Sequence, residues 1–141
     1  MSKKVKFFHL YANAVGADGK NHIVTIVGKL VQSKKMTEFT ETVPVEFKPG
    51  AYLNGELKFK RNIFNRKLTL GMSICHPLDN FDVEEGVEIA KARIEKGETL
   101  GSLETSSVTM LTDDAVMAEL LVKLNYVTEH IDDYLPLFDE L

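Results

Sequence analysis

At Pro77 the apolar residues of this chain change period, from two before the proline to about 3.6 after it. Alternation places every second side chain on one side of a strand, whereas a 3.6 period lines up one stripe of a helix. The order is strands first and helices second, which predicts an α+β fold with an antiparallel sheet, not alternating β/α units around a parallel one.

Five strands are expected. Val5 to Tyr11 is aromatic-rich and is followed by Gly16-Ala17-Asp18-Gly19, whose glycines supply the positive φ of a tight reversal into His22 to Val31. A polar break at Gln32 to Lys35 separates that strand from Thr37 to Phe47, where Pro44, which has no N–H to donate, marks an edge or a bulge. Pro49-Gly50 turns the chain into Glu56 to Lys60, and Asn62 to Asn65 connects it to Lys67 to Ile74.

Two helices follow. Val83, Val87, Ala90 and Ile94 share a stripe, Asp82 and Glu85 form a capping-box pattern, and Lys96-Gly97 suits a C-terminus. Residues 97–109 are rich in Gly, Ser and Thr and predict a loop. Thr112-Asp113-Asp114 opens a second helix whose stripe is Met117, Leu120, Leu121, Leu124, Val127 and Ile131. Beyond it, the apolar residues Tyr134, Leu135, Leu137 and Phe138 are expected to dock on their own domain or at an interface with a neighbour. The 141 residues suit one domain, 1–141, with a β-rich half at 1–75 and a helical half at 76–141. About five antiparallel strands are followed by two C-terminal helices packed on them.

Charge divides along the chain. Residues 1–67 carry +8, residues 68–103 carry −4 and residues 104–141 carry −8, giving the net −4. Opposite-signed ends balance within one fold, pair between copies, or present a basic face to phosphates. The uncharged apolar runs fall short of the roughly 20 residues that span a bilayer. A single cysteine, Cys75, suits a reducing compartment, so the host cytoplasm is the expected location.

Signs of catalysis are thin. Cys75-His76 is a thiol beside a base, but neighbours on a strand point to opposite faces, and a small buried apolar role suits Cys75 better. His76, Asp79, Asp82 and Glu85 carry metal-ligand atoms, yet the three carboxylates equally cap a helix, and no Cys or His pair has zinc spacing. Neither a phosphate-binding glycine loop nor a Gly-x-Ser-x-Gly elbow occurs. A non-enzymatic binding protein without a cofactor or metal is expected. Lys58 to Lys67 interleaves five cations with Phe59 and Phe64, and cations beside aromatic rings suit phosphates and bases; guarding a strand edge explains the same residues. Arg93, one of three arginines, either serves a ligand or pairs with Glu85 or Glu88.

Residues 71–97 contain Cys75-His76-Pro77-Leu78-Asp79-Asn80-Phe81-Asp82 and then Gly86-Val87-Glu88-Ile89-Ala90-Lys91-Ala92-Arg93. A Cys-x-Pro-x-Asp-x-Phe-Asp turn entering a Gly-x-x-Ile-Ala-x-x-Arg helix resembles a segment of small phage and prophage proteins. With the strand-then-helix order, the chain is most similar to the anti-Thoeris family of nucleotide sponges. The resemblance covers about half the chain. It implies an oligomer that sequesters a cyclic ADP-ribose-type immune signal between subunits without cleaving it. Arg93 would be a phosphate contact, with Asn80 and Phe81 near the pocket, and Arg61, Arg66 and Phe64 contributing from the sheet.

Three functions are therefore expected, in this order. The first is a phage-encoded anti-defence homo-oligomer that sequesters a small nucleotide. The second is an inhibitor or regulator of a host or phage protein, a host defence protein among them, acting through the acidic helices and apolar C-terminal tail, and the third is a single-stranded nucleic-acid binder.

Overall fold

The structure is a computed structural model that describes residues 2–77, 80–107 and 112–138. Its elements are β1 (Ser2–Val15), β2 (Asn21–Lys48), β3 (Ala51–Cys75), α1 (Val83–Glu95), β4 (Gly101–Ser107), α2 (Asp113–Glu129) and α3 (Ile131–Phe138). The strands form one antiparallel sheet in the order β1-β2-β3-β4.

The α+β class and the strands-then-helices order are as the periodicity predicts, but the sheet has four strands, not five. Gln32 to Lys35 and Asn62 to Asn65 do not break the chain; they pair with each other inside β2 and β3, as in Gln32↔Arg66 and Lys35↔Ile63. Neither segment contains Gly or Pro, so nothing forces a reversal, and polarity there marks where the strands leave the core. The second difference is β4, which lies in the expected loop and pairs Leu103 with Leu68 on the β3 edge. Pro44 stands opposite Asn54, beyond the last β1 partner at Lys34, and a register shift follows between Glu46 and Lys48. Of the two alternatives expected of it, Pro44 lies on a stretch of β2 paired on one side only among the described residues, and the register irregularity comes after it.

Helices cover both faces. Val24, Ile26, Leu30, Leu68 and Met72 meet Val116, Leu120, Leu124, Val127 and Ile131 of α2 and α3. Residues one step along the strands point the other way, and there Val27 meets Ala90 and Ile94 of α1. Gly71 makes that contact close: a Cβ on it would lie 2.7 Å from the Ala90 carbonyl oxygen and 2.5 Å from Ile94 Cγ1. Asp82 caps α1, accepting from the Glu84 N–H at 2.9 Å, and Gly97 ends it at φ 81°. Thr112 caps α2 through the Ala115 N–H at 3.2 Å.

The α2 stripe differs from expectation at two residues. Val116 is fully buried while Leu121 is 50% exposed, because steps of four, four, three and four from Val116 to Ile131 set the buried face to one side of Leu121. The apolar tail does not lie beyond the helices. It is α3, which begins after the α2 C-cap at His130, and its Tyr134 and Leu135 pack against the α2-side core. The side chains of Leu137 and Phe138 fall outside the described residues.

Two of the four strands outrun the body. β1 pairs β2 only as far as Ser2↔Lys34, and β4 pairs β3 only as far as Phe64↔Ser107. From there Lys35–Lys48 and Ala51–Ile63 pair only with each other among the described residues, closing at Gly50 with φ 78°. At about 3.3 Å per residue this two-stranded ribbon projects roughly 45 Å.

Candidate functional site

The ribbon is amphipathic. Register puts Phe39 opposite Phe59, Glu41 opposite Leu57, Val43 opposite Gly55 and Val45 opposite Leu53 on one face, with Lys35 opposite Ile63 and Thr37 opposite Arg61 nearer the body. The other face pairs Glu38 with Lys60, Thr40 with Lys58, Thr42 with Glu56 and Pro44 with Asn54. The first face is therefore largely apolar and the second polar. The Phe39 and Phe59 rings stack at 5.7 Å, and the Arg61 guanidinium lies 5.2 Å from the Phe59 ring centre. Leu53 is 58% and Leu57 49% exposed.

The apolar face continues, by strand alternation, the sheet face that carries α1. Where α1 ends, with Glu95 2.7 Å from Lys29 Nζ, the face opens into a shallow depression of about 430 Å³ lined by Val31, Ser33, Asn65, Arg66, Lys67, Glu104 and Thr105. Lys67 reaches Glu104 at 3.7 Å.

The residues predicted to share a ligand site are dispersed within one chain. Arg93 is buried and donates from Nη1 to the Met72 carbonyl oxygen at 2.8 Å. That carbonyl lies on the β3 edge just past the last β4 pairing, Leu70↔Gly101, so Arg93 caps an edge acceptor that no strand reaches. Phe81 meets Tyr11 of β1, with ring centres 5.2 Å apart, placing it and Asn80 on the opposite flank of α1 from Arg93. Arg61 stands out on the ribbon, eleven residues along β3 from Met72, or about 36 Å at 3.3 Å per residue. Phe64 points to the α2 side, half-buried, opposite Lys34. Arg66 is buried and lines the depression, alone among the expected ligand residues in doing so.

The cation-rich segment 58–67 also divides. Phe59, Arg61 and Lys67 share one face while Lys58, Lys60, Phe64 and Arg66 share the other, so cations and rings form no single track. Asp82 serves as the α1 cap, and the metal reading drew also on Asp79, which lies outside the described residues. The Cys75 thiol is directed at the His76 carbonyl oxygen, 3.6 Å away.

The sequence reading missed the apolar ribbon face. Its signal was present: Phe39, Val43 and Val45 before Pro49-Gly50, and Leu53, Leu57 and Phe59 after it, are separated by even steps on either side of that turn, and Phe39 with Phe59 and Val45 with Leu53 fall at matching distances from it. No helix among the described residues is long and apolar enough to cross a membrane. Compared with protein-family models, curated proteins and solved structures, the chain matches none.

Proposed function

We propose that this chain is a non-catalytic binding protein that sequesters a small nucleotide signal, in keeping with phage counter-defence, and that the depression at the foot of the ribbon is where the ligand sits. The observation carrying this reading is the grouping there of Lys67, Asn65 and Ser33 around Val31 on one face, with Glu104 beside Lys67; the side chains of Arg66 and Thr105, one step along their strands, turn to the other face. Cations hold phosphate oxygens, amide and hydroxyl groups hydrogen-bond a base or ribose, and an apolar floor excludes water. Glu104 beside Lys67 suits ribose hydroxyls, which donate to a carboxylate. Preorganised burial is enough for sequestration, and no group at this place has to transfer a proton or form a bond. Arg93 is not part of this reading, since its guanidinium is committed to the β3 edge.

The test is native mass spectrometry with cyclic ADP-ribose isomers and cyclic dinucleotides, followed by denaturation to recover the ligand. The reading expects one class to be retained and released intact. Lys67→Ala, at an exposed position, should weaken retention by about tenfold, the size of one charge-assisted contact. A wild-type protein that retains none of them overturns it.

A second reading, inhibition of a protein partner, is favoured by the exposed Phe47, Tyr52 and Leu53 at the ribbon tip, 55%, 63% and 58% accessible. It would act through the ribbon, because Tyr134 and Leu135 of the apolar tail are committed to the core.

A further inference from the structure

We infer that the apolar face of the ribbon is a self-association surface, covered by the same face of a second copy in an antiparallel, two-fold arrangement centred on the Phe39 and Phe59 stack. The ribbon carries this inference; because the partner's tip would then overlie Val31 and Ser33 of the depression, it is tested below in the absence of nucleotide.

A two-stranded ribbon is marginal in water unless its apolar side is covered. Here none of the described residues of the body covers it, since α1 stops at Lys29 and the free face runs from there to the tip at Lys48. The midpoint of that stretch is Phe39, opposite Phe59. An isologous contact requires a patch that complements itself about its own centre, and three features meet that requirement.

The first is charge. Glu41 lies two residues outward from Phe39, and Arg61, opposite Thr37, lies two residues inward. A two-fold axis at Phe39 brings each Glu41 to the level of the partner's Arg61. Within one chain the two are separated by four residues along the ribbon, about 13 Å, so only a partner satisfies them. Apolar matching is the second feature: at the axis the Phe39 and Phe59 rings meet those of the partner, while Val45 and Leu53 near the tip come to the level of the partner's Ser33 and Asn65. Shape is the third. Two parallel ribbons would drive α1 of each body into the other, whereas the antiparallel pair holds the bodies at opposite ends and stops each tip at the level of the partner's Leu30, just short of α1.

Area is consistent with this. In plan, the face from Lys29 to Lys48, about 63 Å long and two strands wide, covers about 600 Å². Side-chain relief makes the accessible area larger than the plan area, so two such faces reach the roughly 1,200 Å² of specific interfaces.

The experiment is sedimentation equilibrium of the full chain across micromolar concentrations, without nucleotide. Wild type should be a dimer, and the double change Phe39→Ser with Phe59→Ser should raise the dissociation constant at least tenfold. Because serines also weaken the ribbon itself, a charge exchange provides the second arm. Glu41→Arg alone and Arg61→Glu alone should each weaken the dimer, and the two together should restore it, which a merely structural role does not predict. A monomeric wild type overturns the inference, as does a dimer that ignores both sets of changes. A monomer whose ribbon instead engages lipid vesicles or a protein partner overturns it too.

Discussion

Replacing Gly71 with alanine would push a methyl group to 2.7 Å from the Ala90 carbonyl oxygen and 2.5 Å from Ile94. Helix backbone gives way less readily than a side-chain tip, so we expect a loss of about 1–3 kcal/mol, the usual cost of overpacking, measurable by urea denaturation. Leu120→Ala removes a fully buried side chain on the opposite face and should cost about 2–5 kcal/mol. Arg93→Met separates two roles: with the guanidinium bound to the Met72 carbonyl, the change should lower stability by about 1–3 kcal/mol and leave nucleotide retention per folded molecule unchanged. Asp18 gives a pH signature. The Lys20 backbone N–H, and after it the charge of His22, hold its carboxyl below the usual 3.8. A lowered folded pKa stabilises above 3.8 and is lost as pH falls through the lowered value, so the β1–β2 turn should loosen only in that acid range, readable from the Lys20 amide shift. At this scale the sequence was half legible. The Asp82 and Thr112 caps could be read from residue type and spacing, because capping is local. The fate of Arg93 could not, because the acceptor it satisfies lies 21 residues away on an edge that exists only once β4 falls short.

The strands were legible as alternating segments, and their interruptions were not. A polar stretch inside a strand and a polar turn look alike until the partner strand is known; at Gln32 to Lys35 and Asn62 to Asn65 it was the absence of Gly and Pro, not polarity, that decided. β4 escaped notice for a related reason: Gly101–Ser107 is short and polar and becomes a strand because β3 offers it an open edge. The helices, whose periods are local, appear near their expected bounds, apart from the tail that forms α3. Since the ribbon contributes nothing to either core cluster, it should be separable from the body. Deleting residues 38–60 and joining Thr37 to Arg61 through Asn-Gly, a two-residue hairpin turn, should preserve helical circular dichroism and the melting of the body while abolishing self-association in the centrifuge.

For the molecule as a whole, the basic strands and acidic helices expected from the charge division do meet: Lys6 contacts Asp113 at 3.0 Å and Lys29 contacts Glu95 at 2.7 Å. The first pair is solvent-exposed and should contribute less than about 1 kcal/mol, so Lys6→Ala should barely move the melting temperature. The depression was not legible in the sequence because its walls come from three strands, one of them unforeseen. The long hairpin also has a bearing on how the chain reaches this shape. Ile23 and Cys75, partners in the middle of the sheet, are separated by a span whose direct closure costs about 3.5 kcal/mol in chain entropy. Starting at Gly50, the same pairing advances one rung at a time, like a zip, and each rung shortens the search for the next. A projection that adds nothing to the core can thus act as the guide that sets the register of the two central strands before any helix lands. Cutting the chain at Pro49-Gly50 should accordingly slow refolding in stopped-flow experiments far more than it lowers the stability of the body.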